Sequence, residues 1–258
     1  MSGVITVRRT DNAEQVELTT TTTGLDLFGD DRTVVAMRVN GETRDLQREL
    51  QGGDDVEPVL IGEPEGLSIL RHSAGHVTAQ ALQGLFAEAK LGIGPPIVDG
   101  FYYDFQTEPL TPEDLKAIEK RMGQIVKERQ RFVRRAVTDE EARAELADEP
   151  FKLELITDKG SASDDDGSSV EVGAGELTIY DNVRRDGSVA WKDLCRGPHV
   201  PHTGYLGNGW GLTRSSAAYW RGDQRNAGLQ RVYGTAWPSK DELSAYKTRL
   251  EEAAKRDH

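Results

Sequence analysis

His72-Ser73-Ala74-Gly75-His76 and Cys195-Arg196-Gly197-Pro198-His199 are the two stretches whose residue types can do chemistry. In the first, two histidines stand four apart, so on a helix their imidazoles lie one turn above each other on one face. In the second, a thiol and an imidazole share a short Gly-Pro loop just after Asp193. Together the stretches hold four of the six Cys and His residues in the chain. Three imidazoles and one thiol form a set that could hold zinc tetrahedrally. The same groups could instead pass protons in a metal-free pocket. Each stretch also has a plainer reading, the His pair as a structural feature and the Cys as a small buried hydrophobe. His202 reads as incidental.

These stretches must be positioned by the elements around them. Residues 1–62 read as a small β-rich module. Ile5 and Val7, then Val16 and Leu18, alternate with polar residues as half-buried strands do. Val34–Val39 runs into Asn40-Gly41, a two-residue hairpin turn, and Val56–Ile61 is a further strand. Residues 62–66 form a connector. A helix is predicted over Ser68–Ala89, with Leu70, Val77, Ala81, Leu82, Leu85 and Phe86 on its apolar face. Phe101–Phe105 reads as a strand. A second helix opens at Thr111-Pro112 with the stripe Leu115, Ile118, Met122, Ile125 and Val126, and runs into a basic end at Arg129, Arg131, Arg134 and Arg135. Asp158–Glu176, rich in Gly, Ser and Asp, reads as an exposed insertion rather than a site. Its acids lack the ligand spacing of a calcium loop. A last helix starts at Ser239 with Glu242 three residues on. No stop signal precedes His258, so this helix is expected to continue in a longer chain.

The 258 residues are 36% hydrophobic and 29% charged, with a net charge of −12. No apolar run is long enough for a membrane span, the start has no secretory pattern, and a single cysteine fits a reducing cytoplasm. So acidic a chain is no general nucleic-acid binder. The charge is uneven, however: residues 205–258 carry nine Lys/Arg against six Asp/Glu, and residues 1–204 carry 23 against 38. The C-terminal quarter could touch RNA locally.

Residues 68–90, with Arg71-His72-Ser73 and His76, resemble the opening helix of the editing domain of threonyl-tRNA synthetases. Ile93-Gly94-Pro95, Gly100-Phe101-Tyr102-Tyr103-Asp104, the run from Asp193 to Gly204, Ala217–Asp223 and Leu229–Trp237 resemble further segments of it. Arg249–His258 is similar to the linker helix toward the synthetase core. Residues 1–62 resemble the ubiquitin-like TGS module through Arg38–Glu42, although Gly24–Arg32 is too short and Asp/Gly-rich for the helix expected there. The resemblance implies an α+β fold: a β-grasp module at 1–62, an editing domain at 63–238 and a linker helix at 239–258.

It also implies an activity, proofreading hydrolysis of seryl-tRNA(Thr). His72 is then the water-positioning residue or base, and Lys152 supplies a proton or positive charge to the leaving ribose oxygen. Asp193 binds the substrate's α-ammonium, while His76, Tyr103, Cys195 and His199 shape the pocket. Without the resemblance, Lys152 reads as an exposed strand lysine, Tyr103 as core and Asp193 as a loop residue. The resemblance points to hydrolysis without a required metal. Zinc at His72, His76, Cys195 and His199 is the alternative, as in a zinc-dependent alanyl-type deacylase, and a non-catalytic tRNA-binding module is the third reading. The expected partners are the serine-charged 3′ end of tRNA(Thr) and the other domains of a longer, homodimeric chain. No class II ligase core is present, so neither ATP binding nor aminoacylation is expected of these residues.

Overall fold

A computed structural model describes residues 3–19 and 22–257. Residues 1, 2 and 258, with which the first module and the last helix were expected to begin and end, lie outside the described residues. The fold is α+β.

The alternating pattern near the start pairs β1 (Val4–Arg9) with β2 (Gln15–Thr19), Ile5 opposite Leu18 and Val7 opposite Val16. A five-residue helix, α1 (Gly24–Phe28), follows. Only the first five residues of Gly24–Arg32 turn helical, capped where the Asp26 carboxylate accepts the Thr23 N–H at 2.9 Å, and the Asp/Gly-rich remainder does not. β3 (Val34–Val39) and β4 (Glu42–Arg44) are joined by Asn40 and Gly41, both at positive φ as the hairpin turn requires. β5 (Asp55–Leu60) inserts between β1 and β3, parallel to the first and antiparallel to the second. The sheet order is β2-β1-β5-β3-β4. One face buries Val7, Met37, Val39, Leu46, Leu50 and Val56 in a core of its own. The other face gives Val35, Ala36 and Val59 to the main core of the following residues.

α2 (Pro64–Leu85) starts a turn earlier than predicted and stops short of Ala89. Pro64 stands in the first turn, where a missing N–H costs nothing. Every residue from Ile69 to Leu82 is buried, so this is a central helix rather than one with a single apolar face, and Leu85 is exposed. Short β6 (Lys90–Leu91) and β7 (Pro96–Ile97) lead to β8 (Gly100–Gln106). α3 (Pro112–Glu128) is capped by Thr111 and Asp114 and buries the expected Ile118, Met122, Ile125 and Val126. The predicted basic helix end is corrected. Arg129 takes a left-handed conformation that closes the helix, and Arg131–Val137 forms strand β9, where Phe132 and Val137 are buried. β-Branched and aromatic residues outweigh the arginines there.

Two short helices follow, α4 (Asp139–Glu145) and α5 (Pro150–Thr157), then β10 (Leu177–Val183), β11 (Val189–Leu194), β12 (Trp210–Tyr219) and β13 (Gly228–Ala236). β9, β10 and β11 make an antiparallel sheet, and a second sheet runs β12-β13-β8-β6 with β7 on β8. α6 (Lys240–Arg256) begins at Ser239, whose Oγ accepts the Glu242 N–H at 3.2 Å, and buries only Leu243. Among the described residues no helix is long and apolar enough to cross a membrane. Met122→Ala, in the main core, should cost about 2–5 kcal/mol. Exposed Leu250→Ala should stay within about 0.5 kcal/mol. Urea unfolding of both variants checks the assignment of the core.

Candidate functional site

α2 and the loop after β11 bring the two chemical stretches together. Cys195 Sγ lies 3.3 Å from His72 Nε2 and 3.4 Å from His199 Nε2, and the Gly197 N–H points at the sulfur from 3.2 Å. The imidazoles of His72 and His199 stack with centroids 4.5 Å apart. The hydrogen-bond network fixes the tautomer of His199. Ser73 Oγ donates to the Ile69 carbonyl at 2.8 Å, so toward His199 it acts as acceptor, taking the Nδ1–H at 2.9 Å. Nε2 of His199 is thereby left as the acceptor for the thiol. Burial pushes the Cys195 thiol well up, so it keeps its proton. Burial, and then the positive charge of Lys152, lower His72 to about 4, while burial and the neighbouring histidines hold His199 well below the usual range.

His76 stands apart from this trio. The ligating atoms of His72, Cys195 and His199 all lie within 4.8 Å of one another, and His76 is not in that group. Its ring packs edge-on against Phe132, Trp191 and His199, and its buried Nε2 has no hydrogen-bond partner among the described residues. The four-ligand set read from the sequence therefore reduces to three. His72, Cys195 and His199 are the three residues here that could hold a metal ion. His202 lies elsewhere, its Nδ1 accepting the Gly204 N–H.

Lys152 is neither exposed nor on a strand. It belongs to α5 and is 0% exposed, its ammonium 2.8 Å from Glu171 Oε2 and 3.2 Å from Asp193 Oδ1. Asp193 Oδ2 accepts Tyr103 Oη at 2.6 Å, and the Lys152 ammonium sits over the Tyr103 ring. Asp193 Oδ1 is the second carboxylate oxygen beside that ammonium, paired with it across 3.2 Å. Burial works against charge on Lys152, and the two carboxylates outweigh it, so the ammonium is held more firmly than usual. Burial also raises Glu171, to about 7, with the Asp193 charge adding to the rise and Lys152 opposing it, and burial raises Asp193 against the pull of the same ammonium.

Glu171 corrects the reading of residues 158–176 as an exposed insertion. It is 2% exposed, and Ser168 and Val172 beside it are also buried. Glu171 Oε1 accepts the Gly94 N–H at 3.1 Å, and Arg196 ties the segment down by bonds to the carbonyls of Ser169 and Val170. The segment therefore roofs the site. The signal lay in Val170-Glu171-Val172, an apolar alternation inside a Gly/Ser/Asp run. Gly94 makes room for Tyr103, since a Cβ there would overlap the Tyr103 ring. Beside the roof a cleft of about 590 Å³ opens between β4 and the Cys/His loop, lined by Arg44, Arg48, Arg134, Arg196, Tyr180 and Pro198 among others.

Residues 177–233, which include Asp193, Cys195 and His199, match the family described as the threonyl and alanyl tRNA synthetase second additional domain. His72, Tyr103, Lys152 and Glu171 lie outside the matched residues. The chain is 63% identical over 259 residues to the threonine–tRNA ligase of Cutibacterium acnes, using all of this chain and 38% of that protein. It is 61% identical over 261 residues to that of Streptomyces avermitilis, all of this chain against 40%. It is 66% identical over 237 residues to that of Leifsonia xyli, 90% against 34%. The chain therefore corresponds to the N-terminal region of bacterial threonyl-tRNA synthetases, and it spans 34–40% of the length of these relatives.

Glu171→Ala would leave the buried ammonium short of a partner and should destabilise the fold by about 3–5 kcal/mol. An exposed insertion residue would give less than about 0.5 kcal/mol, so chemical denaturation separates the two cases. The pH dependence of His72 has a defined sign. Its folded value of about 4 lies below the ordinary 6.5, so its contribution is complete above pH 6.5 and is lost as the pH falls through 4. The stability of the wild type relative to His72→Gln should therefore rise between pH 4 and 6.5, by about 1.4 kcal/mol per pH unit. Urea midpoints of both proteins across that range test it.

Proposed function

We propose that this chain is a proofreading hydrolase that cleaves the ester of serine wrongly attached to tRNA(Thr). The observation that carries the reading is the meeting of a neutral His72–Cys195–His199 trio with the charged Lys152–Asp193–Glu171 trio in one buried site. The need for a second site follows from substrate size. Serine lacks one methyl of threonine, and a methyl-sized difference gives only about 1–3 kcal/mol of discrimination. A pocket fitted to serine can reject threonine by steric overlap.

Ester hydrolysis needs a placed water, an acceptor for its proton and positive charge near the developing oxyanion. Burial keeps His72 neutral, so its imidazole can take the water's proton. The Lys152 ammonium gives positive charge to the leaving ribose oxygen more readily than it gives up a proton, since both carboxylates hold that proton on it. Asp193, buried at the end of β11 beside Lys152, is the acceptor for the substrate's α-ammonium. Tyr103, His76 and His199 wall the pocket, and Cys195 holds the two imidazoles of His72 and His199 in place. The strand order β2-β1-β5-β3-β4 supports the β-grasp reading of residues 1–62, and α6 the linker reading of 239–258. In this view the other domains of a longer, dimeric cytoplasmic ligase supply most of the grip on tRNA.

A second reading is favoured by the trio itself. His72, Cys195 and His199 would hold a zinc ion, which when bound would supply a polarised water at its open position. The measurement is hydrolysis of seryl- and threonyl-tRNA(Thr) with and without chelator, beside His72→Ala. Loss of serine alone, unaffected by chelator and slowed about 10²–10⁴-fold by His72→Ala, is expected. Activity abolished by chelator and restored by zinc would select the second reading. No turnover despite demonstrated tRNA binding would sink both.

A further inference from the structure

Asp45 directly follows β4 and is 7% exposed, yet its carboxylate serves the opposite side of the cleft. Oδ1 accepts the backbone N–H of His199 at 2.8 Å, and Oδ2 accepts Tyr180 Oη at 2.5 Å. Tyr180 in turn sets its ring edge-on against the His199 imidazole, centroids 4.7 Å apart. It lies so close under Gly197 that a Cβ there would overlap its hydroxyl. Two residues on, Gln47 Nε2 donates to the Pro201 carbonyl at 3.1 Å. The short stretch that leaves the N-terminal sheet after β4 thus grips the Cys/His loop at its backbone, its ring packing and its exit. Leu46, between the two gripping residues, is buried in that sheet's own core and fixes the stretch from behind.

Burying a carboxylate is unfavourable, and an apolar residue of similar size often serves stability as well or better. A carboxylate whose two partners both bear on His199 is therefore explained by placement rather than by packing. Burial raises Asp45, and Tyr180, the His199 N–H, Arg134 and Arg48 oppose that rise.

We propose that Asp45 is a positioning residue of the hydrolytic site, through which the N-terminal sheet holds His199 against Cys195 and His72; this rests on the hydrolase reading above. The site is then built by both parts of the chain, and the N-terminal sheet is a component of it.

The test uses the 258-residue chain. Asp45→Ala should lower kcat for seryl-tRNA(Thr) about 100-fold, the scale of a 1 Å misplacement, and leave KM near its original value. Asp45→Asn keeps an oxygen for the His199 N–H and should restore most of the rate. Cys195 is the one cysteine, so its rate of reaction with a disulfide reagent reports the loop without any catalysis. That rate should rise in Asp45→Ala and stay low in Asp45→Asn. Asp55→Ala, which breaks the exposed ion pair with Arg8 in the same sheet, should move neither readout. A folded Asp45→Ala with unchanged kcat and unchanged thiol reactivity would overturn the proposal. Should that variant not fold, Tyr180→Phe removes one of the carboxylate's two partners, and an unchanged thiol rate there would overturn it as well. A wild-type chain that binds tRNA(Thr) yet does not hydrolyse its seryl ester would sink the hydrolase reading, and the thiol rates alone would then decide the role of Asp45.

Discussion

A buried ammonium keeps its charge only while carboxylates stand beside it. Lys152 has two, and they arrive from distant parts of the chain, Asp193 at the end of β11 and Glu171 from the roof segment. Around this group the rest of the site is arranged. Tyr103 lies beneath it and spends its hydroxyl on Asp193, and Gly94 makes room for that ring while its N–H satisfies Glu171. Remove the charge and three partners lose their reason to be where they are.

Next to this charged trio lies a neutral one, and the contrast is electrostatic. Lys152 discourages protonation of His72, and burial does the same for all three pocket imidazoles. With its thiol held protonated, Cys195 is a poor nucleophile and a good spacer between two imidazoles. Environments that push neighbouring groups toward opposite protonation states are how a site assigns acceptor and donor roles near neutral pH. Here the acceptors are imidazoles and the fixed positive charge is Lys152.

The sequence carried some of this plainly. His72 and His76 on one helix, the Cys195–His199 loop, the Asn40-Gly41 hairpin and the stripe of α3 follow from spacing alone, since each depends on neighbours within a few residues. Lys152, Tyr103 and Asp193 were legible only through family resemblance, because what makes them special is burial against residues far along the chain. Glu171 was missed for the same reason: a single acid in a Gly/Ser/Asp-rich run looks solvated until the chain folds it under Arg196. The strand β9 was hidden behind its arginines, of which Arg135 is absorbed by ion pairs to Glu145 and Asp181. His76 shows the reverse error, since shared helical face does not guarantee a shared ligand point.

The N-terminal sheet is packed on both faces, and its second face lends Val35, Ala36 and Val59 to the core built around α2. Arg32 adds bonds to the carbonyls of Tyr205 and Pro238, and Arg38 reaches Glu63 and Glu65. A core shared in this way couples the melting of its two halves, because exposing one strips apolar cover from the other. Heat or denaturant should therefore meet one cooperative unit, and a lesion in the first sixty residues should reach the histidines as readily as one beside them.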